Sequence, residues 1–136
     1  METLNVVGQL AALVSALILI AVAPLEMFFY GRPKVAKFLS VDPEHADSVK
    51  LWSFCIGARN LLSALGAMAG LAMIRWGDPQ VGTVVVLSFC WYMLLASLAM
   101  AAADAMGYWK PRGGSIKGTV SSSVLPLVVV FSPLFV

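Results

Sequence analysis

The chain has 136 residues, 60% hydrophobic and 12% charged, with a net charge of +2 and a mean hydropathy of +0.90. Soluble domains carry roughly 25% charged residues, so this composition excludes a water-exposed globule and points to an integral membrane protein. No Lys- or Arg-rich run suggests nucleic acid, and Cys55 and Cys90 form no CxxC pair, which leaves them as small apolar core residues.

The first segment, "METLN", lacks the Lys or Arg of a signal peptide. An Ala-x-Ala pattern at 21–23 is followed at once by Pro24, which is poor for cleavage, so a retained helix is expected over about 6–30. Near its end, "AVAPLEMFFYGRPK" interrupts the apolar run with Pro24 and then with a carboxylate, Glu26.

A long connection follows. Asp42 and Pro43 have the form of an N-cap with proline at the first helical position, so the second helix is expected over about 43–76, its first two turns projecting beyond the membrane. Phe38 and Leu39 beside Lys34 and Lys37 suit either a segment lying on lipid headgroups or an ordinary solvated linker. "GDPQ" stops the second helix. The third is expected over about 81–106 and the fourth over about 118–136, with Pro126 and Pro133 bending it and the hydroxyls of Ser121 to Ser123 serving a kinked backbone. These runs lack the alternation of barrel strands. The fold class expected is an all-α membrane protein, a four-transmembrane-helix bundle forming one integral domain over 1–136.

The distribution of Lys and Arg sets the orientation. Arg32, Lys34, Lys37 and Lys50 lie in the first connection and Lys110, Arg112 and Lys117 in the third, against Arg75 alone on the other side. Both termini should therefore face outward from a plasma (inner) membrane, with the long connection cytoplasmic. Tyr30, Trp52, Trp76, Tyr108 and Trp109 fall near span ends, where an aromatic belt belongs.

Three ionisable residues remain in or at the edge of the spans, and such residues are functional candidates by default. At about 1.5 Å per residue, Glu26 lies about 6 Å, Arg59 about 12 Å and Asp104 about 3 Å from the cytoplasmic ends of their helices. Cys55, Arg59, Ser63, Gly66 and Gly70 share one stripe of the second helix, and Cys90, Ser97, Ala101 and Asp104 one stripe of the third. Small residues let helices approach closely, so Gly57, Ser63, Gly66 and Gly70 are expected at packing interfaces, with Arg59 turned toward protein. Glu26 is expected to face Arg59, with Asn60 beside them and Asp104 nearer the water. His45, with Asp42, Glu44 and Asp47, reads as a solvated face rather than a metal site. No P-loop, haem motif or dinucleotide fingerprint appears, so no cofactor is expected.

"LEMFFY" at the end of the first span, the basic connection after it, Gly57 and Asn60, and "ALGAMAGL" together resemble a family of small bacterial membrane proteins, domain of unknown function 1304. The resemblance covers most of the chain and is carried chiefly by Leu25, Glu26, Met27 and Phe28. The family tends to carry a histidine about two turns before the glutamate, where this chain has only Ala and Ile or Leu. The resemblance implies the four-helix layout and gives weight to Glu26, and it implies no activity.

Three functions fit the residues. One is the binding or transport of a small molecule or lipid through a polar half-site of Glu26, Arg59, Asn60 and Asp104. The second is a structural or accessory subunit whose ion pair fixes helix packing. The third is a membrane-embedded enzyme on a lipid-soluble substrate, with Glu26 or Asp104 as acid or base. The expected partners are the bilayer and further copies of the chain, as a homo-oligomer.

Overall fold

The computed structural model describes residues 3–29, 32–35, 50–108, 113 and 115–134. Its first helix, α1 (Val6–Met27), starts where the Asn5 side chain accepts the Gly8 N–H at 2.8 Å, a side-chain cap for one of the unpaired donors of the first turn. Helix α2 (Lys50–Trp76) runs to Gly77. Helix α3 (Pro79–Ala105) begins almost at once: Asp78 accepts the N–H groups of Gln80 and Val81, and Pro79 takes the position where a missing N–H costs nothing. So short a link between α2 and α3 makes them an antiparallel hairpin.

Helix α4 (Ile116–Phe131) passes through Pro126 without ending, and the chain then tightens into a 3-10 turn over Ser132–Leu134 that contains Pro133. The serine hydroxyls of α4 bond to carbonyls of their own preceding turn, Ser121 and Ser122 to Gly118 and Ser123 to Val120. The carbonyl that Pro126 frees belongs to Ser122, four residues back, so these bonds serve other carbonyls than the one expected. Among the described residues there is no strand, and four helices are long and apolar enough to cross a membrane. The expected start of the second helix at Pro43 lies outside the described residues, as do Tyr30, Trp109 and the group around His45.

The bundle closes in chain order: α1 packs on α2, α2 on α3, α3 on α4, and α4 returns to α1. Its interior is built from small residues. Gly8, Ala11, Ala12, Ser15, Ala16 and Ala23 are the buried positions of α1, and Gly57, Ser63, Ala64, Ala67, Gly70 and Ile74 those of α2. Steps of three and four keep the α1 set on one face, while the α2 set covers two adjoining stripes, one toward α1 and one toward α3. Many large residues are outside, with Val6 at 62%, Leu10 at 56% and Leu62 at 65% exposure, while Val86, Met93 and Leu94 of α3 and Val129 of α4 join the core. Lipid tails are as apolar as leucine, so association in a bilayer rests on close backbone packing, which small residues permit.

Gly70 and Gly82 are the tightest case of backbone against backbone. A Cβ on Gly82 would stand 2.6 Å from the Gly70 carbonyl oxygen, and one on Gly70 would stand 2.9 Å from the Val86 nitrogen. Cys90 is fully buried and Cys55 half-buried, and neither is in a disulfide. At the end of the bundle near Asp78, the Leu4 N–H donates to Thr83 Oγ1 (3.0 Å) and Asn5 Nδ2 to the Ser132 carbonyl (3.0 Å), tying α1, α3 and the 3-10 turn together. The opposite end carries Arg32, Lys34, Lys50 and Lys117, and is called the basic end below.

Candidate functional site

Glu26 sits in the last turn of α1 at the basic end, half-buried against α2. Gly57 makes that approach possible, because a Cβ there would stand 2.9 Å from the Ala23 carbonyl oxygen and would overlap the Met27 side chain. One turn further along α2, Asn60 Nδ2 donates to Glu26 Oε1 at 2.9 Å. Ser53 Oγ donates to the backbone carbonyl of Glu26 at 2.5 Å. Ser53 is thus level with the last turn of α1, and only the start of α2, from Lys50 to Ser53, runs on past it, by about 5 Å at about 1.5 Å per residue.

Aromatic residues collar this end. The Phe28 and Phe54 rings meet edge to face with centroids 5.8 Å apart, and the Arg32 guanidinium lies 4.8 Å from the Phe29 ring centroid. Pro24, two residues before Glu26, has no N–H to give, so the Ile20 carbonyl lacks its helical donor.

Arg59 does not join this group. It is exposed and forms no ion pair with Glu26, whose carboxylate is bonded to Asn60. The expectation that Arg59 faces protein fails for a geometric reason. The face of α2 turned to α1 carries Gly57 and Asn60, with Ala64 and Ala67 further along, while Ser63, Gly66 and Gly70 turn toward α3. Arg59 continues the second stripe, but there the seam has opened. The Phe89 ring of α3 lies on Gly66, and beside it a groove of about 320 Å³ is lined by Arg59, Leu62, Ser63, Ser88, Phe89 and Tyr92.

Asp104 is separate again. It is 4% exposed, and its carboxylate gathers the start of α4: Oδ1 accepts the Gly113 N–H at 2.7 Å, and Oδ2 accepts the Ser115 N–H at 3.0 Å and the Ser115 hydroxyl at 2.6 Å. Around it α3 ends in a Schellman turn. Tyr108 N–H reaches the Ala103 carbonyl, Gly107 N–H reaches the Asp104 carbonyl, and Gly107 takes φ +84°, which glycine adopts at no steric cost. The carboxylate thus ties the end of α3 to the residues that lead into α4.

The four candidate polar residues thus divide into one pair, Glu26 and Asn60, and two separate sites. Gly57, Ser63, Gly66 and Gly70 all lie at helix interfaces inside the chain. Residues absent from the sequence reading also matter: Ser53 at Glu26, Tyr92 and Ser88 in the groove, and Gly113 and Ser115 on Asp104. Ser115 alone carried a signal, as a serine just before an apolar run. No cluster of His, Cys, Asp and Glu that would hold a metal occurs among the described residues.

The profile of a family described as protein of unknown function (DUF1304) matches residues 13–132, a range that includes Glu26, Arg59, Asn60 and Asp104. No curated protein and no solved structure matches the chain.

Proposed function

The chain belongs to the DUF1304 family, and on that premise we propose that it binds a proton or a small cation at Glu26 and Asn60 and carries it across the bilayer. The observation behind this reading is the partner of Glu26. Arginine has donors only, and serves only an ionised carboxylate. An amide has a donor and an acceptor. Asn60 Nδ2 donates to the carboxylate as it stands, and a half-turn of the same amide offers Oδ1 to a protonated carboxyl. The pair therefore has a satisfied arrangement in both protonation states, which an ion pair lacks. A half-buried carboxylate beside aromatic rings also suits an organic cation. With the Lys- and Arg-rich connections cytoplasmic, Glu26 lies near the cytoplasmic face of the plasma membrane.

A second reading has its own observation. The Ser53 bond to the Glu26 carbonyl and the tight fit at Gly57 join α1 to α2 whatever the carboxylate does, as a staple would. Proteoliposomes with an imposed pH gradient separate the two. Under the carrier reading, wild-type protein dissipates the gradient, alone or when an organic cation is added, and Glu26→Gln does not. Equal fluxes from wild type and a folded Glu26→Gln would leave the staple.

A further inference from the structure

We propose that the groove between α2 and α3 at Arg59 is a binding site for an anionic phospholipid of the surrounding bilayer. Arg59 lies about 13 Å along the helix axis from Lys50 at about 1.5 Å per residue, on the outer surface of a helix long and apolar enough to span a membrane. A guanidinium at that depth is costly unless an anion or water meets it. The described residues offer it no anion. Their three acidic side chains are committed elsewhere: Glu26 to Asn60, Asp78 to the first turn of α3, and Asp104 to Gly113 and Ser115.

These commitments also weigh against a second copy as the occupant, since none of those three acids is free to cross to Arg59. The bilayer itself supplies the missing charge, as a phosphate drawn from the headgroup layer at the basic end.

The other groove residues fit such a ligand. Ser63 and Ser88 donate their hydroxyls to carbonyls of their own helices, Asn60 and Val84. The Arg59 guanidinium and the Tyr92 hydroxyl are thus left as the donors that face the groove. A guanidinium holds a phosphate through two parallel N–H bonds. Leu62 and the Phe89 ring complete the wall with apolar surface on which an acyl chain lies. The site is distinct from Glu26, which packs on the α1 side of α2, so its test does not depend on any transport activity.

The test is native mass spectrometry of the full chain in mild detergent, titrated with phosphatidylglycerol or phosphatidylcholine. One basic side chain at a membrane surface is worth about 1 kcal/mol, so phosphatidylglycerol should be retained about fivefold more strongly. Arg59→Gln should remove the preference, Arg59→Lys should keep most of it, and Tyr92→Phe should weaken it. Leu62→Trp keeps the charge but fills the groove, and should lose lipid as Arg59→Gln does. Inorganic phosphate at millimolar concentration should not compete, because it lacks the chains. Equal retention of both lipids by wild type, a preference that survives Arg59→Gln, or full competition by inorganic phosphate would each overturn the proposal. So would loss of a dimer, rather than of lipid, in Arg59→Gln.

Discussion

Asn60 donates to Glu26 across 2.9 Å between α2 and α1, while Arg59, its neighbour in sequence, points away into the α2–α3 groove. Consecutive residues on a helix are about 100° apart, so one of them can serve the interior while the other serves the surface. A reading in which the carboxylate belongs to the arginine and one in which it belongs to the amide differ in which variants should couple.

Asn60→Leu should be the most damaging change at this site. It leaves the half-buried Glu26 carboxylate without its donor, at a cost of about 1–3 kcal/mol. Glu26→Gln keeps an acceptor for Asn60 Nδ2 and should cost less. Thermal unfolding in detergent orders the two, and the opposite order would count against the bond as the main polar link between α1 and α2.

Glu26→Gln and Arg59→Leu should act independently. Residues without a shared partner have additive effects within about 0.5 kcal/mol, whereas an ion pair gives a double variant less damaged than its singles predict. A double-mutant cycle on thermal stability measures the coupling directly. Strong coupling would place Arg59 at Glu26 after all.

Asp104→Asn should loosen the connection between α3 and α4. The amide nitrogen that replaces one oxygen cannot accept from Gly113 or from Ser115, and a lost bond to a charged group costs about 1.5–3 kcal/mol. Ser115→Ala removes the hydroxyl donor and should cost about 1 kcal/mol. If Asp104→Asn melts with wild type while abolishing flux, the residue is functional and the clamp is incidental.

Gly82→Ala and Gly70→Ala should separate α2 from α3, since each added carbon meets backbone that cannot yield. Overpacking of this kind costs about 1–3 kcal/mol. Gly118→Ala is the control, because its Cβ meets only Met100 Sδ at 3.4 Å, and it should be tolerated. Melting temperatures of the three variants check the order.

Cysteine labelling tests the orientation. In a background without Cys55 and Cys90, a membrane-impermeant reagent added outside should modify a cysteine at Asp78 and spare one at Gly113. Labelling at Gly113 alone would invert the bundle and move Glu26 to the outer face.

The four helices were legible in the sequence because length, hydropathy and the punctuation of "GDPQ" act locally: each span must satisfy its backbone by itself in lipid. The small-residue faces were legible too, since a stripe is fixed by helical spacing before any partner is known. Where two stripes meet is not a local property. Gly57 and Gly66 look alike in sequence, yet one lies under the last turn of α1 and the other under the Phe89 ring. Phe89 fills the seam above Arg59, and that decides whether the arginine is enclosed or left facing lipid. The fate of Asp104 depended on Gly113 and Ser115, which the turn after α3 brings back to it. Periodicity names the residues on a face, and the packing of neighbouring helices decides which polar group each of them meets.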